Sequence, residues 1–330
     1  IVLRRELRDT NGEWFYWAFC VRGAQGKTIT FDITDNYVGP FGPAVSRDNE
    51  NWRWLDKRND DHSFTYTFSE NENCVYFAHH MLYHPDRFYR FCSKKNISVK
   101  SVGKAKNGDN IPYITFGGGD EYIVLTSRHH ACESTGSYVL EGVLTELADN
   151  LIEGLRVICV PFMDYDGVCA GDQGKNRIPY DHNRDYEFDK EPIYNTVKFI
   201  RDFVKNHKIK YAFDFHSPWH RYGINDCVFF AQKNYRQLNN MDNLAAMLEK
   251  ANKGNSLKYY AKDNIKPDVD WNKSDAPCFG PYMGRMTDSL IAVSVETCYF
   301  GKEDSVFTDE GAVRFGRNFA KALKQFDAAQ

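Results

Sequence analysis

The feature that most constrains this chain is a change of hydrophobic period partway along it. Residues 13–95 alternate apolar and polar in steps of two, as in EWFYWAFCVRG, KTITFDIT, FTYTFSE and CVYFAHHM, with turn clusters between. A period of two is that of strands with one buried face. After residue 110 the pattern changes. Nearly all-apolar runs such as YIVLT, LRVICVPF, KYAFDFH and SLIAVSVETCY are separated by segments of helical period, among them STGSYVLEGVLTELADN and GAVRFGRNFAKALKQF. Strands without a polar face belong in a sheet covered on both sides. The pattern predicts an N-terminal antiparallel β-sandwich over residues 1–97, then an α/β/α layered domain over 98–330. The polar, Lys-rich SKKNISVKSVGKAKNGD marks the boundary. Gly117-Gly118-Gly119 lacks phosphate-loop spacing and is read as a hairpin turn.

Composition narrows the function. With 42 Lys+Arg against 45 Asp+Glu the net charge is −3, which argues against nucleic acid as partner. No apolar run reaches the ~20 residues of a membrane helix, so no membrane partner is expected. The opening IVLRRELRD has neither the apolar core nor the cleavage site of a signal peptide. Nine scattered cysteines with no CxxC exclude a cysteine zinc ribbon. They read as free thiols, which favours a cytoplasmic over a periplasmic or secreted location.

The chemistry gathers at strand ends, where open α/β sheets bind ligands. YIVLTSRH ends at His130, with Glu133 three residues on; KYAFDF ends at His216; LIAVSV ends at Glu296. LRVICVPF runs into a long loop holding Arg177, Asp181, Asn183 and Arg184. HxxE puts His130 and Glu133 on one turn. A second histidine from a distant strand would complete a His₂Glu metal site with a position open for water. HxxE alone recurs by chance, and His129 is an alternative ligand. His79, His80, His84 and His220 read as surface or satisfied core histidines.

The order of these segments raises their significance. RHHACE, DYDGV, NR, YDHNRDY, FDFHS and VSVET occur in that sequence, and the chain from about residue 98 to 330 resembles the M14 zinc carboxypeptidases. The 83-residue interval from Glu133 to His216 suits the cytosolic carboxypeptidase branch. WFYWAFCVRGAQGKTITFDITDN and FAHHMLYHPDRFYRF resemble the β-domain that precedes the catalytic domain in that branch.

The resemblance implies a mixed-sheet catalytic domain, one Zn²⁺ held by His130, Glu133 and His216, and peptide or protein C-termini as substrates. It implies that Glu296 acts as general base and then acid, Arg177 stabilises the oxyanion, and Asn183 and Arg184 hold the substrate's terminal carboxylate. Asp181 would orient the ring of His130. Tyr282 stands in the region of a mobile tyrosine found in digestive members. Ser217–Pro218 is the expected position of a cis bond. Arg285, with Lys273 second, is the candidate cation for acidic C-terminal residues. Two other functions fit the same residues: zinc-dependent deacylation of N-acyl amino acids, and an inactive domain that binds peptides or glycans.

Overall fold

The computed structural model describes residues 1–12, 15–218 and 226–330; Trp14 and His220 of the motifs above lie outside them. Seven short strands come first: β1 (Val2–Leu3), β2 (Ala18–Arg22), β3 (Thr28–Ile33), β4 (Ala44–Ser46), β5 (Arg53–Trp54), β6 (Ser63–Thr67) and β7 (Cys74–Ala78). They form a three-stranded sheet, β1-β3-β6, and a four-stranded sheet, β2-β7-β4-β5. Between these lies an aromatic-rich cluster including Trp17, Phe31, Phe64, Phe68 and Phe77. The expected sandwich is present, with one departure from antiparallel pairing: β1 runs parallel to β3.

Helix α1 (Pro85–Lys94) follows, starting at a proline, whose fixed φ suits the first helical turn. Then come β8 (Val99–Lys104), β9 (Asn110–Gly117), β10 (Glu121–Ser127), α2 (Ser134–Asp149), β11 (Leu155–Val160), α3 (Tyr165–Ala170), α4 (Asn195–Asn206) and β12 (Lys208–His216). The chain closes with β13 (Phe229–Ala231), α5 (Leu238–Ala251), α6 (Phe279–Met286), β14 (Ile291–Glu296), a two-stranded hairpin and α7 (Asp309–Asp327).

Strands β8 to β14 make one mixed seven-stranded sheet in the order β13-β14-β12-β10-β11-β9-β8. Its centre is parallel, from β11 through β10 and β12 to β14. Alternate residues of these strands feed opposite faces. Ile123 and Leu125 join the cluster under α2, α5 and α7, whereas Tyr122 and Val124 join the cluster under α4 and α6. That two-sided burial is why the strands read as unbroken apolar runs.

The triple glycine is not a hairpin turn, because β11 lies between β9 and β10. Gly119 sits at φ +118°, and a Cβ there would overlap the Gly154 carbonyl at the entry to β11. The segment is a crossing of two backbones that only glycine allows. Helix α6 lies in DAPCFGPYMGRMTD, where no element was expected; Pro281 falls in its first turn, where the missing N–H costs nothing. The cis bond expected at Ser217–Pro218 is found at Ile178–Pro179 among the described residues.

A candidate metal centre at the strand ends

Parallel pairing brings the carboxyl ends of β10, β12 and β14 to one edge, with His216 directly opposite Glu296. Just beyond β10 the chain turns sharply. Arg128 adopts φ +60°, and its buried guanidinium donates to the carbonyls of Ala131 and Tyr83. A buried cation spent on backbone carbonyls fixes the turn that carries His130 and Glu133.

His130 Nδ1 lies 2.8 Å from Glu133 Oε1, and His216 Nδ1 lies 2.7 Å from Glu133 Oε2. The ligand atoms of the three residues all fall within 4.8 Å of one another. The far nitrogens are engaged elsewhere: His130 Nε2 with Asp181 at 3.2 Å, and His216 Nε2 with Asp214 at 2.5 Å. Such outer carboxylates orient metal-binding imidazoles, so both rings present Nδ1 to the shared centre. Asp181 thus touches the His130 ring; Asp214 was not anticipated, although it sits two residues before His216 in FDFH. Burial raises the Glu296 carboxyl above the ordinary range, an effect the neighbouring His216 partly opposes.

A second cluster, His129, Asp214 and His216, also has metal-like spacing. Its donors are already engaged: His129 bonds Asp214 through Nδ1 and the Tyr186 hydroxyl through Nε2, and Thr126 donates to Asp214. His129 and Asp214 have no exposed surface. This cluster is a sealed hydrogen-bond chain behind His216, and His130, Glu133 and His216 are the donor set that fits a catalytic metal.

Asn183 lies beside the centre, with Nδ2 3.1 Å from His216 Nε2, and its Oδ1 accepts from the Phe279 amide. Arg184 is exposed and donates to the Asn183 carbonyl; among the described residues no carboxylate is within ion-pair range of it. Arg177 is not brought to the cluster. Its guanidinium is fixed 2.5 Å from Asp164 and 3.0 Å from Asp172, where it braces the N-terminal cap of α3. Lys175, two residues earlier, points inward instead. Its Nζ lies 2.5 Å from Glu133 Oε1 and 3.0 Å from the Ser217 carbonyl.

Tyr282 is buried against Tyr186 and Phe188 beneath the Arg201 guanidinium, away from the cluster. Arg285 is exposed and lies over the Phe188 ring. Its expected role as a pocket cation is not supported by that position.

Comparisons with known proteins agree with this geometry. The chain is similar to an uncharacterized protein of Zymomonas mobilis, 27% identical over 63% of this chain and 59% of that one. It is also similar to a putative zinc carboxypeptidase of Plasmodium falciparum, 28% identical over 33% of this chain and 7% of the relative. Cytosolic carboxypeptidase 1 of Xenopus laevis is 26% identical over 43% of this chain and 14% of that protein. The chain therefore spans about three-fifths of the first relative and small parts of the other two. No family model matches it. Among solved structures, a metallo-carboxypeptidase of Burkholderia cenocepacia superposes with TM-score 0.79 at 16% identity, over 99% of this chain and 93% of that one. A Pseudomonas aeruginosa metallo-carboxypeptidase in complex with (2-guanidinoethylmercapto)succinic acid gives 0.79 at 18% identity, again over 99% and 93%.

The fold is that of the metallo-carboxypeptidases, N-terminal β-sandwich included. The M14 resemblance carried by the sequence motifs holds for both the fold and the sequence relatives.

Proposed function

We propose that this chain is a zinc-dependent carboxypeptidase. One observation carries the reading: two imidazole nitrogens and a carboxylate converge at the strand ends, with Glu296 on the adjoining strand and Arg184, which has no carboxylate partner among the described residues, next to Asn183. A bound zinc ion would supply an acidified water and polarise the scissile carbonyl.

The protein's own groups do the rest. Arg184 and Asn183 hold the substrate's terminal carboxylate, the guanidinium by a two-pronged bond. Glu296 accepts the proton of the attacking water and delivers it to the leaving amine. Lys175 takes the role expected of Arg177: its ammonium, beside Glu133, donates to the carbonyl oxygen as negative charge builds there. Burial excludes water and strengthens these interactions.

Metal analysis combined with product analysis tests the reading. One zinc per chain, and release of single C-terminal residues abolished by a chelator, are expected. Glu296→Gln should retain zinc but lose turnover by roughly 10²- to 10⁴-fold. Faster cleavage of N-acyl amino acids than of peptides would replace this reading with the deacylase one.

A further inference from the structure

A small cavity lies between α4, α6 and the loop entering α4, and it shares no lining residue with the candidate metal centre. Two buried side chains face it from the two helices: Arg201 of α4, 5% exposed, and Tyr282 of α6, 1% exposed. The Arg201 guanidinium donates from Nη1 to the Lys190 carbonyl at 2.8 Å. Its Nε and the Tyr282 hydroxyl are buried without a hydrogen-bond partner among the described residues. Among those residues no carboxylate lies within ion-pair range of Arg201. The Tyr282 ring, 5.2 Å from the guanidinium carbon, meets its charge with a π-face only. A desolvated charge without a counter-ion is costly, and so is a buried donor without an acceptor.

The other charges around the cavity are exposed or already engaged. Lys190 pairs with Glu187 at 2.5 Å, Glu191 turns to Lys198 at 3.7 Å, and Lys205 to Asp202 at 3.8 Å. Asp189 is exposed at the rim. The buried Asp185 carboxylate feels the Arg201 charge but accepts from the Ile193 and Tyr194 amides. Arg285 adds positive charge over the Phe188 ring, which forms part of the cavity wall. The buried groups therefore offer donors and a positive charge. At 180 Å³ the cavity has room for about six waters, at ~30 Å³ each. That is less than the ~300 Å³ of a typical small-molecule pocket, and it suits a single tetrahedral oxyanion.

We propose that Arg201 and Tyr282 form a binding site for a small oxyanion of the phosphate type, which supplies the counter-ion the guanidinium lacks. Nε and Nη2 grip two of its oxygens in a fork, and the Tyr282 hydroxyl donates to a third. Lys190 and Lys205 at the rim favour its entry. Bound there, the anion joins α4 to α6. The junction leads towards the metal centre. Tyr282 packs on Tyr186, whose hydroxyl lies 2.8 Å from His129 Nε2, and α6 opens at Phe279, whose amide donates to Asn183. The site does not depend on the carboxypeptidase reading.

Phosphate titration of the zinc-loaded protein tests this, read by calorimetry and by the unfolding midpoint, with chloride at matched ionic strength as the baseline. A ligand of the folded state raises the midpoint as its concentration rises. Phosphate held at the zinc is common to all variants and cancels. Arg201→Met should lose one binding event per chain and its share of the midpoint rise. Tyr282→Phe, which removes only the hydroxyl, should weaken that binding by roughly 10-fold. Identical titrations in the wild type and Arg201→Met overturn the proposal. Should Arg201→Met fail to fold, an unchanged affinity in Tyr282→Phe overturns it. Inorganic phosphate and phosphoserine present the same oxygens. Either one, bound by the wild type and lost in the variants, supports the site, and the tighter of the two shows whether a free ion or a phosphorylated side chain fills it.

Discussion

Two cations two residues apart divide the work of the central loop. Lys175 and Arg177 are both largely buried, but their partners differ. Arg177 is shared by Asp164 and Asp172, whereas Lys175 reaches Glu133 of the candidate metal site. Removing one member of a buried ion pair leaves the other uncompensated, at a cost of about 3–5 kcal/mol. Arg177→Met should therefore lower stability by that order, read by urea denaturation. Losing an oxyanion donor costs about 10²–10³ in kcat, so Lys175→Met should lower kcat by that factor; in the zinc-loaded protein the metal would remain as counter-charge to Glu133, so stability should change less than in Arg177→Met. The opposite assignment, with Arg177→Met selectively inactive in a stable protein, would restore the role the sequence alone gave to Arg177. Sequence could not separate the two, because both stand in the same Gly-rich loop and arginine is the better-known partner of an oxyanion. His216 and Glu296 were legible because each closes an apolar strand, and His130 and Glu133 because they follow the apolar β10 within six residues on a single turn.

At the scale of elements, the loop that follows α3 is pressed against the turn carrying the histidine and glutamate. Cys132 N donates to the Gln173 carbonyl at 3.1 Å. Gly174 adopts φ +79°, and a Cβ there would overlap the Ala131 amide. Both the left-handed conformation and the close approach demand glycine. Gly174→Ala should push the loop away from His130, Glu133 and Lys175 together. A substitution at positive φ costs about 1 kcal/mol or more. The sharper readout is metal: zinc should dissociate at least ~10-fold faster, by analogy with the loss of outer support at other zinc sites. Unchanged zinc retention in a folded Gly174→Ala protein would show that this loop does not brace the ligands. The same close approaches explain what the sequence misread. A triple glycine between two strands reads as a hairpin, and only the intervening β11 shows it to be a crossing. Helix α6 was hidden because Gly280, Pro281 and Gly284 lower helix propensity in a segment held by packing, with six of its eight residues buried.

Across the whole molecule, the sandwich and the seven-stranded sheet share one apolar cluster that runs from Phe15, Trp54 and Met81 to Phe213 and Phe319. Polar joints reinforce it, and several end at the candidate site. Asp9 accepts from the amides of Gln173 and Gly174, and the Gln173 side chain exchanges hydrogen bonds with the Tyr16 backbone. His80, two residues past β7, reaches the Cys132 carbonyl through Nε2 at 2.8 Å, while its Nδ1 lies 3.0 Å from His79 Nδ1. A carbonyl partner requires Nε2 to carry the hydrogen, which leaves Nδ1 to accept from His79. A second proton on His80 would set two donors face to face in a site without exposed surface. Burial accordingly lowers its pKa to about 3, against about 6.5 in the unfolded chain. The unfolded state then binds the extra proton first. The contribution of His80 to stability is complete above pH ~6.5 and falls as pH drops from there towards ~3. Between pH 7 and pH 5 linkage puts that loss at about 2 kcal/mol. A glutamine at this position can still donate to Cys132 and accept from His79, but cannot titrate. His80→Gln should therefore lose about 2 kcal/mol less than the wild type over that interval, measured by urea denaturation at both pH values with zinc held constant. The metal ligands contribute equally to both proteins and cancel in the comparison. An identical pH dependence in the two would mean that His80 does not remain neutral at this joint, and that acid weakens the molecule somewhere else.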